Sequence, residues 1–337
     1  MTDILQLTRE LVDIESVTNH EAPVGEFLFE TLSRLNRRFS GRVERCPVKA
    51  DRFNVFAHWG EPLVTLSTHM DTVPPFFASH EDADFIWGRG SADAKGIIAS
   101  MIGAAEGLLE GGVRNFSLLF VVGEERNSAG AYAAARDPRG SKFLINGEPT
   151  ENKLALASKG VLRYEIEATG KLAHSAYPEL GESAIDKLLD ALGEVRKLTL
   201  PKDALLGPTT VNIGVISGGR APNVIPDAAK AEIAIRLVGD PAPVREAMTR
   251  AVGDRAQLRE ILCIPAITFD ALDGFETSIV AYTTDVPAFG LSWGKPFLLG
   301  PGNIHVAHTN EERVSKKELF AAAGIYRQMV TKLLSSA

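Results

Sequence analysis

Residues 116–122 read Phe-Ser-Leu-Leu-Phe-Val-Val, an apolar run with no period-two alternation. A strand with one wet face alternates. A run of this kind suits a strand covered on both faces, as in a mixed or parallel sheet flanked by helices. The run ends at Gly123-Glu124-Glu125. Two further strand-like segments finish in a similar way: residues 63–68 lead into His69-Met70-Asp71, and residues 143–146 into Gly147-Glu148. In open α/β sheets ligands gather beyond the carboxyl ends of the strands, so these side chains are expected to converge on one rim.

A chain of 337 residues has two domains as its natural prior, and the periodicity places a division. Helical spacing marks residues 4–14, 24–35 and 94–109, and short β-like runs cover 43–48 and 54–58. Near residue 158 the texture changes to a strand (162–168), an amphipathic helix (183–195), two alternating strands (210–216 and 230–238), a helix (241–252) and a strand (261–269). That β-α-β-β-α-β order is ferredoxin-like, one sheet with two helices on one face. The expected architecture is therefore α/β: a mixed-sheet catalytic domain of residues 1–157 plus 270–337, with an α+β domain inserted at 158–269. A strand at 296–299 and a helix at 315–334 close the first domain.

Composition excludes some classes of function. The net charge is −7 and no run of Lys and Arg stands out, so the electrostatic footprint of a nucleic-acid binder is missing. No segment has the roughly 18 continuous apolar residues of a membrane span, and the first ten residues do not read as a signal peptide. A cytoplasmic protein is the expectation. Cys46 and Cys263 are far apart and show no metal-type spacing, and Cys263 lies in an apolar run as a core thiol would.

Five segments carry candidate chemistry. On a strand, His69 and Asp71 face the same side, which would let the aspartate orient the imidazole; alone, the triplet reads as a strand-end histidine with a solvated aspartate. Asp93, in Gly88-Arg89-Gly90-Ser91-Ala92-Asp93-Ala94-Lys95-Gly96, precedes a helix and is equally an N-cap. Adjacent Glu124 and Glu125 repel each other after an apolar strand, which a cation or a shared proton would relieve. Glu148 is a fourth strand-end carboxylate, and the Gly- and Pro-rich loop 300–311 offers both His305 and His308. Together these give imidazoles and carboxylates from separate segments, the ligand set of zinc-like ions, with cobalt and manganese as competitors.

The ordered set HMDTVP, GRGSADAKG, GEE, GEPT, GKLAHSAYPE, SGGRAPNVIP and GPGNIHVAH resembles the acetylornithine deacetylase, succinyl-diaminopimelate desuccinylase, aminoacylase and carboxypeptidase G superfamily over nearly the whole chain. The resemblance implies two divalent ions, zinc first. His69 and Glu148 would hold one ion, Glu125 and His308 the other, and Asp93 would bridge them, with a cis peptide bond often following it. Asp71 would orient His69, and Glu124 would be the general base toward a water between the ions. The inserted domain resembles a lid and dimerisation domain, implying a homodimer. His174 would reach the substrate from the partner subunit, and Asn223 and Arg236 would meet the substrate's carbonyl or carboxylate. The implied activity is hydrolysis of an amide bond. The leading expectation is a deacylase of small N-acyl amino acids, with an exopeptidase on dipeptides or C-terminal residues as the alternative and a non-catalytic binding homologue behind both. Segments 74–87 and 270–285 are short for the family, and Ala94 replaces a larger residue, so these changes bear on specificity.

Overall fold

The computed structural model describes residues 2–337. In chain order its principal elements are α1 (Ile4–Val12), α2 (Ala22–Phe39), β1 (Arg42–Lys49), β2 (Arg52–Trp59), β3 (Val64–His69), α3 (Gly96–Glu110), β4 (Phe116–Val121), α4 (Ala129–Ala135), β5 (Phe143–Asn146), β6 (Gly160–Thr169), α5 (Ala184–Val195), β7 (Thr210–Gly218), β8 (Ala228–Leu237), α6 (Ala242–Val252), β9 (Gln257–Ile264), α7 (Val286–Phe289), β10 (Lys295–Leu298) and α8 (Lys316–Leu334). The chain divides into two compact units. One comprises Met1–Leu156, Phe269–Ser278 and Thr284–Ala337; the other comprises Ala157–Thr268 and Ile279–Thr283. The boundaries read from the sequence lie one residue away at each junction and leave out the segment Ile279–Thr283. Hydrogen bonds tie that segment to the second unit: Lys159 N–H donates to the Val280 carbonyl and the Ser158 hydroxyl to the Tyr282 carbonyl.

The first unit is built on a six-stranded sheet of order β1-β2-β4-β3-β5-β10. β1 and β2 run antiparallel to their neighbours, while β4, β3, β5 and β10 are mutually parallel. Every residue of β3 and β4 is buried, which accounts for the missing alternation: helices cover both faces of these strands. On one face α3 is apolar nearly all round, because it lies between the sheet and α8. Its Ile97, Ile98, Met101 and Ile102 share a core with Leu66, Leu118 and Phe120 of the sheet and with Leu319 and Tyr326 of α8. On the other face Phe56, Leu119 and Val121 pack with Ala131 of α4, Phe289 of α7 and Trp293. Because four strands are parallel, their carboxyl ends share one edge, with His69 in register with Val121 and Ser67 with Asn146.

The second unit has a four-stranded antiparallel sheet of order β7-β8-β6-β9, with α5 and α6 supplying one hydrophobic layer. Leu162, Ile166, Ile233 and Ile235 from the strands meet Leu188, Leu192, Val244 and Met248 from the helices. The last strand begins and ends earlier than its apolar stretch predicts. Pro265 cannot continue the ladder, and the polar residues Gln257, Arg259 and Glu260 pair with β6, Arg259 forming an ion pair with Glu165. Both strands at the sheet's margins, β7 and β9, have one partner each. Among the described residues no helix is long and apolar enough to cross a membrane.

Candidate metal centre

The rim formed by the parallel strands receives the residues that the apolar runs deliver. β3 ends on His69. β4 leads into a turn beginning at Gly123, whose φ of +84° lies in the left-handed region that glycine adopts without a Cβ penalty. β5 leads to Gly147 and Glu148. Glu124 and Glu125 lie in that turn rather than on extended backbone.

Asp71 shapes this turn. Its Oδ1 accepts the N–H groups of Gly123 (3.0 Å) and Glu124 (3.1 Å); its Oδ2 accepts the Glu125 N–H (3.3 Å) and the Thr18 hydroxyl (2.7 Å). The His69 ring meets Asp71 differently from the sequence expectation. Its Nδ1 is 3.0 Å from the Asp71 carbonyl oxygen and 3.6 Å from the carboxylate, so the carbonyl is the hydrogen-bond acceptor. The carboxylate is drawn toward the three backbone N–H groups, which leaves the ring to the main-chain oxygen.

Two groups of side chains place their ligand atoms within 4.8 Å of one another: His69, Asp93 and Glu148, and Asp93, Glu125 and His308. Asp93 belongs to both, one oxygen to each. Its Oδ1 is 2.8 Å from His69 Nε2, and its Oδ2 is 3.3 Å from His308 Nε2. His308 Nε2 is also 3.1 Å from Glu125. The peptide bond from Asp93 to Ala94 is cis. His305, the rival in the same loop, belongs to neither group; its backbone N–H donates to Asn303 Oδ1.

Charge makes this cluster costly without cations. Burial pushes the Glu124 carboxyl well above the usual range, and nearby Glu148 adds to the effect. Burial does the same to Glu148, with Asp93 next in importance. Burial and Asp93 also raise Glu125. Asp93 goes the other way: burial opposes its charge, but hydrogen bonds from His308 and His69 outweigh that and lower its pKa. Hydrogen bonds to Asp93 and Glu125 lift His308 to about 10. Glu148 Oε1 is buried and meets no donor among the described residues. Orphaned and mutually repelling carboxylates with two imidazoles fit a pair of divalent ions of the zinc type: each group offers three N or O donors, and one carboxylate is shared.

The candidates from the inserted segment lie in the second unit. His174 is exposed, pairs through its backbone with Val224, and accepts the Ala176 N–H at Nδ1 (3.1 Å). Asn223 is exposed on the adjoining stretch, its carbonyl accepting the Ser175 N–H (3.0 Å). Arg236, on β8, is half-buried, and burial alone lowers its pKa, with no carboxylate offsetting it.

Sequence reasoning missed two acidic residues of the first unit. Asp285 is 1% exposed, and neither of its carboxylate oxygens meets a donor in hydrogen-bond geometry among the described residues, although the Ser128 hydroxyl acts on it; burial raises it to about 7. Its only sequence signal is its place before the short Val286–Phe289 helix. Glu312 is fully buried four residues after His308, in a stretch that reads as a polar loop.

Residues 156–257 match the family model described as a peptidase dimerisation domain. A peptidase M20 domain-containing protein of Schizosaccharomyces pombe is 38% identical over 97% of this chain and 84% of its own length. A probable carboxypeptidase of Aspergillus niger is 38% identical over 97% of this chain and 88% of its own. Among solved structures, a tripeptidase from Staphylococcus aureus superposes with a TM-score of 0.83 at 22% identity, covering 98% of this chain and 97% of that one. A dinuclear metal-binding M20 peptidase from Bacillus subtilis does so with a TM-score of 0.71 at 17% identity, covering 100% and 99%. The solved structures show a shared fold; the curated relatives, matched along nearly the whole chain, show descent as well. The metal-type donor set therefore has a family to sit in: this chain belongs to the M20 peptidases and is a metal-dependent hydrolase of amide bonds.

Proposed function

We propose that this chain is a two-metal exopeptidase that removes a terminal residue from a short peptide, with C-terminal release as the favoured direction. One observation carries the two-metal part: Asp93 turns one oxygen to His69 and the other to His308. The names of the curated relatives supply the direction, and they favour peptides over the N-acyl amino acids expected first from the sequence.

His69, Glu148 and Asp93 would hold one ion, and Glu125, His308 and Asp93 the other. Ions bound there would polarise a carbonyl and acidify a water. Zinc fits the donors, and cobalt or manganese would compete for them. Glu124 ligates neither ion in this assignment. Its carboxylate takes the proton of the attacking water and returns it to the leaving amine nitrogen as the C–N bond breaks. Asp71 holds the turn that presents Glu124 and Glu125. By the resemblance, His174 would reach the scissile carbonyl from the partner subunit, and Asn223 and Arg236 would meet the substrate's carbonyl or carboxylate, a guanidinium being suited to a bidentate pair with the latter. Exchanging Glu124 for Gln tests the base: the variant is expected to keep two ions by elemental analysis and to lose about 10²–10⁴ in turnover. A variant that kept wild-type turnover would remove Glu124 from the reaction.

A further inference from the structure

Glu312 makes an unusual set of contacts for a residue in a loop. Its side chain is completely buried. Oε1 accepts three backbone N–H groups of one turn, from Gly90 (2.9 Å), Ala92 (3.3 Å) and Asp93 (3.2 Å). Oε2 accepts the Arg89 Nη1–H at 2.6 Å. The Glu312 carbonyl accepts the Gly88 N–H (3.1 Å), and the next residue, Arg313, is paired with Trp87. Successive N–H groups aimed at one point form a nest for an anion, and a carboxylate within it makes charge-assisted hydrogen bonds. Here the anion comes from the segment that also carries His308. Arg89 extends the connection: its Nε–H donates to the Pro75 carbonyl (3.2 Å), and its guanidinium lies 5.1 Å from the centre of the Phe77 ring.

We propose that Glu312 is a positioning residue for the two-ion centre. It fixes the turn 89–93 so that the two Asp93 oxygens stay aimed at separate ions, and it locks that turn to the loop bearing His308. The bridging carboxylate and one terminal imidazole are thereby held by a single buried anion. This rests on the two-ion reading above. Outer partners that orient metal ligands typically matter by about 10–100-fold in affinity.

The test is titration of chelator-stripped protein with Co²⁺, followed by calorimetry and visible absorbance, for the wild type, Glu312→Ala, Glu312→Gln and Glu106→Gln. Glu106 is buried about 15 Å along α3 from its first residue and forms an ion pair with Arg38, so its variant reports lost stability without a disturbed turn. Glu312→Ala is expected to weaken at least one Co²⁺ site about 10–100-fold. Glu312→Gln should weaken it less, because an amide oxygen still accepts the three N–H groups. Glu106→Gln should keep both affinities. Should Glu312→Ala fail to fold, Glu312→Gln decides. Wild-type affinities at both sites in the Glu312 variants would overturn the inference. A wild type that binds no ions would instead overturn the two-ion reading on which it rests.

Discussion

Asp93 shows how far single residues were legible. Its motif reads as an ordinary N-cap turn, and its importance emerges from company: His69, Glu125, Glu148 and His308 reach it from four other segments. His69, Glu125 and Glu148 were visible because strands deliver them and strand ends are marked by apolar runs; His308 lies in a loop shared with His305, and only the family resemblance separated the two. Glu312 and Asp285 were not visible. The hydrogen bond from Gly90 to Glu312 spans 222 positions, and no periodicity links the two ends. Asp71 lies between these cases, since its place was readable, but the choice between its carbonyl and carboxylate depends on three N–H groups more than fifty positions away. The carboxylates also set a pH response for chelated protein. Glu124, Glu125 and Glu148 are held above their unfolded values, and Asp285 at about 7. A raised carboxyl stabilises the fold fully below its unfolded pKa, and that stabilisation is lost as pH rises through the folded value. Thermal melts of chelated protein should therefore fall between pH 5 and pH 7. Zinc, which binds the deprotonated ligands, should flatten that slope. A melting temperature that rises with pH over this window in chelated protein would contradict the proposed burial of these acids.

Among the elements, β4 and α4 depend on each other through Asn54 of β2. The Asn54 side chain donates to the Gly130 carbonyl (2.8 Å) and accepts the Val122 N–H (3.2 Å), clasping both ends of the turn that carries Glu124 and Glu125. Gly130 is needed for this approach: a Cβ there would lie 2.5 Å from Asn54 Oδ1, 2.5 Å from Val122 N and 2.6 Å from Val122 O. Gly130→Ala should cost about 1–3 kcal/mol of stability by denaturant unfolding, because backbone atoms cannot yield as side-chain ends do. It should also weaken ion binding by displacing the turn. Unchanged stability and affinity would show that the turn tolerates the shift. Most elements were legible, since α1, α2, α3, α5, α6 and α8 follow their apolar periods, whereas the short helices α4 and α7 carry no such period and were not anticipated. β9 was displaced because its first half is polar and is held by pairing and an Arg259–Glu165 ion pair, neither of which leaves a hydrophobic trace.

At the scale of the whole molecule, the change of texture near residue 158 announced an inserted α+β unit, and the sheet order β7-β8-β6-β9 is the one its β-α-β-β-α-β sequence implies. Oligomeric state is not written in such a pattern. β7 presents an unpaired edge with Val215 and Ile216 exposed at 50% and 56%, and Leu189 on α5 is exposed at 53%. An open apolar strand edge is a template for pairing with another chain. With the dimerisation-domain match, this supports a homodimer formed through the inserted unit. Val215→Asp combined with Ile216→Lys should convert a dimer to a monomer in light scattering, and a variant that stays dimeric would place the interface elsewhere. Amino-acid release from a panel of dipeptides, N-blocked dipeptides and N-acetyl amino acids, each with chelated and zinc-restored protein, decides whether the two-metal centre is an exopeptidase. A two-metal exopeptidase of this kind should release the C-terminal residue from peptides, lose that activity on chelation and regain it with zinc. Cleavage of the N-acetyl amino acids alone, or peptide cleavage that survives removal of both ions, would contradict the exopeptidase reading.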